Sequence, residues 1–391
     1  MTARWADIIE QVVRSWNKYR RVLVFMLFYK FVFWIAVLVI AMNSTYDAYL
    51  HEAAARHQNF PWPRGSDISV WSRLATWDAG AYLLIARDGY TPHSPLCAYF
   101  PLFPAVITPF HAFAGERTAL VSALIINNVV SICGGLFVFR IAARRFDEKI
   151  AARSVVLLFL NPGAIYFSLA YTESIFLFLI ALTFDSLDTG RLNAAAASSF
   201  LLPLTRAIGI FILIPILMYC WLARGWRAYF KLIVPTCLGY LTYLWIMHRH
   251  GGSLWAGYLA QADYLNSPSV AKILDLAGFL AAVPLVIDFC HPTAGLLDRL
   301  LFLAFLVGML LSRRLDRTMW AFCLFIGIVP ALSNVFLSYT RFFAVCFPLF
   351  IGVASTSRGP VRNQYYRIGI FLGGAAQMYC LGRVLSFKWV G

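Results

Sequence analysis

The sequence predicts an all-α polytopic membrane protein, and three observations predict it. Of its 391 residues, 61% are apolar and only 13% charged, where soluble domains are near half apolar and a quarter charged. The mean hydropathy is +0.71. Apolar runs near or above the roughly 18 residues that a spanning helix needs recur along the chain. They are continuous rather than alternating, which excludes a β-barrel.

The runs read as spans are 22–42, 117–140, 150–170, 173–188, 193–205, 208–222, 229–248, 296–312, 318–336, 341–356 and 366–385. The first follows a basic N-terminus and is too long for a cleavable signal, so it is expected to stay as a helix. Two further stretches, 98–114 and 272–289, are interrupted by prolines and charges and are read as interfacial or re-entrant. Pro203, Arg206 and Gly209 divide 193–222 into two segments. Residues 193–205 would reach only about 20 Å as a helix, less than a full crossing.

The 33 basic residues outnumber the 18 acidic ones. In a soluble protein this excess would suggest nucleic acid, but here the cations sit between apolar runs. There they set topology and meet anionic lipid, so no nucleic-acid partner is expected. With the N-terminus in the cytosol, most of them, including the cluster from Arg140 to Arg153, fall on the cytosolic side. The prediction is eleven spans in one domain, 1–391, in the cell inner membrane or, in a eukaryote, the endoplasmic reticulum. This parity places 43–97 outside the cytosol, within a first non-cytosolic loop, 43–116, that carries interfacial helices. Chemistry concentrates on such loops when a scaffold holds them.

The eight cysteines show no paired spacing. Cys133, Cys220, Cys237, Cys323 and Cys346 lie in apolar runs and read as buried thiols. The histidines show no metal spacing beyond His248-x-His250, which reads as a solvated loop. Asn127-Asn128 reads as interhelical glue and Lys30 as paired inside the bundle.

The densest mixed polarity lies at Trp77-Asp78-Ala79-Gly80-Ala81-Tyr82, running on to Arg87-Asp88-Gly89-Tyr90. Apolar residues at 81, 84 and 85 have helical spacing, so a short amphipathic helix along the membrane surface is expected. Asp78 at its start is either a helix cap or a general base. Asp88-Gly89 reads as the closing turn.

Trp77-Asp78 through Gly89-Tyr90, with Tyr99-Phe100-Pro101-Leu102-Phe103-Pro104, resembles the PIG-V family, the GPI mannosyltransferases that add the second mannose. More distantly it resembles the GT-C class of membrane glycosyltransferases. The resemblance continues in Asn161-Pro162-Gly163-Ala164, Tyr171-Thr172-Glu173-Ser174 and Thr205-Arg206-Ala207-Ile208-Gly209. Ala260-Gln261-Ala262-Asp263 and Arg341-Phe342-Phe343 with Phe347-Pro348-Leu349 complete it. The chain lacks extended lumenal insertions, and tryptophan and arginine do not follow Gln261 closely, so it looks most like a prokaryotic relative.

The resemblance implies a GT-C-like bundle and an inverting transfer of a sugar, mannose in this family, from a polyprenyl phosphate donor to a lipid- or glycan-linked acceptor hydroxyl. It makes Asp78 the base and implies no metal or other cofactor. The candidate substrate contacts are Trp77, Tyr82, Arg87, Asp88, Tyr99, Tyr171, Glu173 and Gln261. The residues point the same way. No segment is large enough for a nucleotide-sugar domain, and no glycine-rich phosphate loop follows a strand. A lipid phosphate leaves as an anion and needs cations more than an acid. Arg206 and Arg341, at the outer ends of apolar runs, are the donor-phosphate candidates, with snorkelling to the interface as the alternative. Glu173 is placed either on sugar hydroxyls or on an arginine. The competing readings are a transporter or flippase of a polyprenyl-phosphate-linked lipid, and a membrane scaffold subunit. The internal repeats typical of transporters are not evident, and neither reading explains the Trp77-Asp78 loop.

Overall fold

Proline and glycine decide where the apolar runs of this chain stop being helix. A computed structural model describes residues 2–44, 68–223, 226–263, 270–282, 288–291 and 294–390. Among them no strand occurs. The helices are α1 (Thr2–Asn43), α2 (Val70–Leu74), α3 (Asp78–Asp88), α4 (Leu102–Arg145), α5 (Glu148–Phe159), α6 (Glu173–Asp188), α7 (Leu192–Leu201), α8 (Leu213–Ala223) and α9 (Trp226–Gly251). They continue with α10 (Ala256–Leu259), α11 (Val270–Leu274), α12 (Leu276–Ala282), α13 (Leu296–Leu311), α14 (Arg317–Asn334), α15 (Tyr339–Val345), α16 (Phe347–Thr356) and α17 (Pro360–Leu385).

Among the described residues, four helical stretches are long and apolar enough to cross a bilayer alone: Lys18–Asn43, Leu102–Arg145, Trp226–Gly251 and Pro360–Leu385. Their outer faces carry large apolar side chains, such as Phe28, Phe31, Leu241 and Phe371, as lipid contact requires. The other expected spans are shorter or bent, so the described residues do not form eleven straight crossings. The run 341–356 is α15 and α16, bent by 66° at Cys346, before Pro348. The run 193–222 breaks where expected, through short 3-10 turns at Leu202–Leu204 and Ala207–Ile212. The stretches 98–114 and 117–140 join in α4 but part at Ala114–Gly115, where Gly115 has φ +78°. Of 272–289, residues 283–287 lie outside the described set, as do residues 45–67 of the first loop with His51 and His57.

The run 150–170 departs most from the expected span. Helix α5 ends at Phe159, and the chain goes on as a 3-10 turn, Pro162–Phe167, and irregular backbone up to α6. Carbonyls freed inside a membrane bundle must find protein donors, and distant side chains supply them. Gln377 Nε2 donates to Phe159 O and Asn161 O. Lys30 Nζ donates to Phe167 O at 2.8 Å and to Ser168 Oγ at 2.9 Å. Asn128 Nδ2 reaches Ser168 O, while Asn127 Nδ2 serves Leu169 O and Tyr171 O. Lys30 is thus bonded inside the bundle as expected. Asn127 and Asn128, expected as interhelical glue, pin this non-helical segment, and Asn128 Oδ1 also accepts from Trp34 Nε1 of α1.

Helix α6 separates two charged regions. Glu173 is its first residue, and Asp185 and Asp188 lie in its last turn, about 20 Å further along at 1.5 Å per residue. That far end gathers Arg140, Arg144, Arg145 and Arg191 on Asp185, Asp188 and Asp316. His248 and His250 fall in the last helical turn of α9 rather than in a loop. All eight cysteines are free; Cys237 is exposed and Cys133 half-buried, against the expectation for both, because their helix faces turn outward.

Candidate active site

Helix α3 forms where expected, and Gly89 (φ +73°) ends it by donating its backbone N–H to Ile85 O. It is not a surface helix. Eight of its eleven residues are buried, because small side chains at Ala79, Gly80 and Ala81 let it pack closely on the bundle. Nor is Asp78 the cap. The cap position falls on Trp77, which makes no side-chain capping bond. Trp77 holds a positive φ of 56°, a strained conformation for a bulky residue that persists only where surrounding packing imposes it.

The Asp78 carboxylate turns instead to Arg341. Arg341 Nη1 donates to Asp78 Oδ2, and its Nε donates to Glu173 Oε1. The same Glu173 oxygen accepts from Arg206 Nη1. Four charged side chains from four segments therefore form one chain of contacts, Asp78–Arg341–Glu173–Arg206. Two carboxylates balance two guanidiniums, as burial requires: Glu173 is 0% exposed and Asp78 and Arg341 are each 8% exposed.

Aromatic rings wall this cluster. The Arg341 guanidinium lies over Tyr171 at 5.0 Å and Tyr166 at 5.3 Å, and that of Arg206 over Phe342 at 5.0 Å. Such stacking suits delocalised cations. A small cleft opens at Asp78 and Arg341 between Trp77, Tyr166, Tyr171 and Trp389. Trp77 meets Trp389 edge-on at 5.2 Å, and the buried indole N–H of each finds no hydrogen-bond partner among the described residues. Tyr166 donates its hydroxyl to Val390 O, which ties the 386–390 segment to the wall. Among the described residues only Oδ2 of Asp78 accepts a side-chain hydrogen bond, and Oδ1 accepts none.

The other candidates divide into three groups. Tyr82, one turn after Asp78, packs edge-on against Tyr99 at 5.4 Å and Phe103 at 5.1 Å, and supports the floor beneath the aspartate. Arg87 and Asp88 are exposed at the other end of α3, paired with each other and with Glu116. Arg87 holds the Asp88 carboxyl below the usual carboxylate range. The structure does not bring them to the cluster. Gln261 donates to Ala98 O at 3.0 Å and braces the segment that carries Tyr99.

Three residues of this region escaped the sequence reading. Tyr166 and Trp389 wall the cleft. Asp298, buried in α13, accepts from the backbone N–H and the hydroxyl of Thr340, both at 2.9 Å, and from Gly295 N. It thereby fixes the residue before Arg341. A carboxylate inside the apolar run 296–312 was the available signal. Among the described residues no three His, Cys, Asp or Glu side chains converge as a metal site.

The chain is 26% identical over 136 residues to GPI mannosyltransferase 2 of Drosophila pseudoobscura pseudoobscura, covering 32% of this chain and 30% of that one. It is 28% identical over 127 residues to GPI alpha-1,6-mannosyltransferase 2 of Rattus norvegicus, covering 30% of this chain and 26% of the rat protein. The matches thus span about a third or less of these relatives. Among solved structures, ArnT from Cupriavidus metallidurans bound to undecaprenyl phosphate superposes with a TM-score of 0.49 at 13% identity, covering 86% of this chain and 62% of ArnT. The apo oligosaccharyltransferase of Archaeoglobus fulgidus gives 0.45 at 14% identity, covering 91% and 56%. The sequence model of the mannosyltransferase (PIG-V) family matches residues 17–241, a stretch holding Asp78, Glu173 and Arg206, and the chain belongs to that family.

Proposed function

We propose that this protein is an inverting GT-C glycosyltransferase that moves a sugar, mannose by family membership, from a polyprenyl phosphate donor to an acceptor hydroxyl on the non-cytosolic face. One observation carries the reading: a carboxylate with an open oxygen is wired to two stacked arginines through a shared glutamate. The acceptor hydroxyl donates to Asp78 Oδ1, which takes its proton as the oxygen attacks the anomeric carbon. The bond from that carbon to the phosphate oxygen breaks with its electron pair. Arg341 and Arg206 meet the charge that develops on the leaving phosphate, so no general acid is required. Trp77, Trp389 and Tyr171 offer flat apolar faces and N–H or O–H groups of the kind that hold a sugar ring.

The orientation rests on charge. The arginine cluster on Asp185 and Asp188 lies at the far end of α6 from Glu173, and such clusters favour the cytosol. This supports an active cleft on the opposite face of the cell inner membrane, or of the endoplasmic reticulum in a eukaryote, with the N-terminus cytosolic. The test uses purified protein in liposomes supplied with polyprenyl phosphate mannose labelled in the sugar and a lipid extract as acceptor. Labelled mannose should leave the donor and free polyprenyl phosphate should accumulate. Donor that crosses the bilayer unchanged, with no sugar released, would instead establish a transporter.

A further inference from the structure

At the end of the bundle remote from Asp78, a cleft of about 380 Å³ opens between the start of α5 and the turn joining α16 to α17. The two helices α5 and α16 run antiparallel along its depth. Arg153, in the first half of α5, bonds Ser357 just after α16, whereas Gly163, beyond the end of α5, abuts Thr340 and Ala344 ahead of α16. One helix length, about 18 Å for twelve residues, therefore separates this cleft from the aspartate–arginine cluster.

The cleft is built around Arg153. Its Nη1 donates to Ser357 O and Ser357 Oγ, both at 2.7 Å, and its Nη2 to Asn363 Oδ1 at 2.6 Å. The guanidinium stacks over Tyr366 at 5.0 Å. It is held in place entirely by neutral groups. Lys149 on the same rim is exposed, and neither cation has a carboxylate partner among the described residues. Arg358 is paired with Asp147 at 2.6 Å, so the cleft keeps an uncompensated positive charge. Nearby Arg140, Arg144 and Arg145 contrast with it, since each is neutralised by Asp185 or Asp188. A posed guanidinium beside a free ammonium suits a phosphate group.

The flank of the cleft favours a phosphate that carries acyl chains. From its rim, α17 shows exposed Val361, Tyr365, Ile368 and Leu372, spaced i, i+4, i+7 and i+11 along one face. Chains of a lipid whose headgroup sat on Arg153 and Lys149 would lie along that stripe. We propose that this cleft binds the phosphate headgroup of an anionic membrane lipid, at a site separate from the one assigned to the sugar donor.

The test is native mass spectrometry of the purified protein exchanged into detergent containing equimolar phosphatidylglycerol and phosphatidylcholine. The protein should retain phosphatidylglycerol preferentially. Lys149→Gln and Arg153→Gln should each lower that retention about fivefold, the share of one basic residue near an anionic lipid. Arg206→Gln should leave it unchanged. Lys149 is exposed and its replacement leaves the fold intact, so the test stands even if Arg153→Gln fails to fold. Equal retention of both lipids, or phosphatidylglycerol retention unaffected by Lys149→Gln, overturns the site. Loss of retention in Arg206→Gln overturns its separation from the donor cleft. Displacement of phosphatidylglycerol by millimolar inorganic phosphate would make it a free-phosphate site and overturn the lipid assignment.

Discussion

A single carboxylate oxygen, Oε1 of Glu173, accepts from Nη1 of Arg206, 33 positions away, and from Nε of Arg341, 168 positions away. Arg206 sits between two short 3-10 turns and Arg341 lies in a seven-residue helix, so neither is aligned by a long helix of its own. Glu173, at the start of α6, supplies the common reference. Two cations on one oxygen repel each other unless that oxygen stays charged. Anything that removes this charge should therefore loosen both arginines at once.

The first prediction concerns that coupling. Arg206→Ala and Arg341→Ala should each depress kcat/KM for a polyprenyl phosphate sugar, and the double variant should lose less than the two single losses combined. Groups that share a partner couple by about 0.5–3 kcal/mol. A double-mutant cycle on kcat/KM reads the coupling directly. Strict additivity would place the arginines on separate ligands. Lysine at either position keeps the charge but loses the fork, and should restore only part of the activity.

Asp78→Asn tests the base. The amide is nearly isosteric and still accepts from Arg341 through its carbonyl oxygen, so the fold should survive. It cannot take a proton near neutral pH, and kcat should fall by about 100-fold or more. Turnover at the wild-type level in folded Asp78→Asn would remove the assignment. Arg87→Gln serves as the comparison: that side chain lies at the far end of α3, bonded to Asp88 and Glu116, and its loss should cost much less.

Gly163 bears on the site without facing it. A Cβ there would fall within van der Waals overlap of the Thr340 carbonyl oxygen and 2.9 Å from Ala344 Cβ. Gly163→Ala must therefore separate the 161–164 turn from α15, which carries Arg341. Overpacking of this kind costs about 1–3 kcal/mol. The expected result is a lowered Tm with kcat reduced more than KM is raised. Gly374→Ala, in the middle of α17 where a Cβ meets nothing within 4 Å, should leave kcat and KM unchanged and should not lower Tm. Equal effects of the two would mean that α15 is not held against the 161–164 turn.

Orientation in the membrane has its own measurement. Thr91 and Arg314 are both exposed, and the proposed topology puts them on opposite faces. In a cysteine-free background, Thr91→Cys should react with an impermeant thiol reagent applied to intact cells or sealed lumen-out vesicles. Arg314→Cys should react only after permeabilisation. The reverse pattern would put the cleft in the cytosol and remove the case for a lipid-linked donor.

What could be read in the sequence follows from cost. Glu173, Arg206 and Arg341 stood out because a charge at the end of an apolar run is expensive and needs a reason. Asp78 stood out because it opens the densest polar motif of the first loop, and the four meet. The helix over 78–88 was legible from spacing and from Gly89. Its burial was not, since that depends on α4 packing over it. The break after Phe159 was hidden for a related reason. Residues 150–170 are apolar enough to span, and the donors that make an irregular segment tolerable come from Lys30, Asn127, Asn128 and Gln377, none of them neighbours in the chain. Trp389 is brought to Trp77 by the return of the C-terminal segment, which no local pattern announces.

The backbone leading into Arg341 is strained, and Asp298 is what holds it. Val335, Phe336 and Ser338 all have positive φ, at 50°, 66° and 57°, and a β-branched residue there is disfavoured. Such a turn relaxes unless something fixes its exit. Asp298 does so by accepting from both the N–H and the hydroxyl of Thr340, one residue before Arg341. Asp298→Ala should free the turn, lower stability by about 2–4 kcal/mol through lost charge-assisted hydrogen bonds, and reduce kcat/KM by about tenfold or more as Arg341 drifts. Asp298→Asn keeps an oxygen for both Thr340 donors but turns an amide N–H₂ toward the Gly295 N–H, so it should fall between the two. Thr340→Ser retains the hydroxyl and should behave nearly as wild type, whereas Thr340→Val removes one of the two bonds and should lose part of the activity. Measuring kcat and KM with Tm across these four variants separates positioning from bulk stability. If Thr340→Val lowers Tm but leaves kcat at the Thr340→Ser level, Asp298 serves the fold alone and not the placement of Arg341.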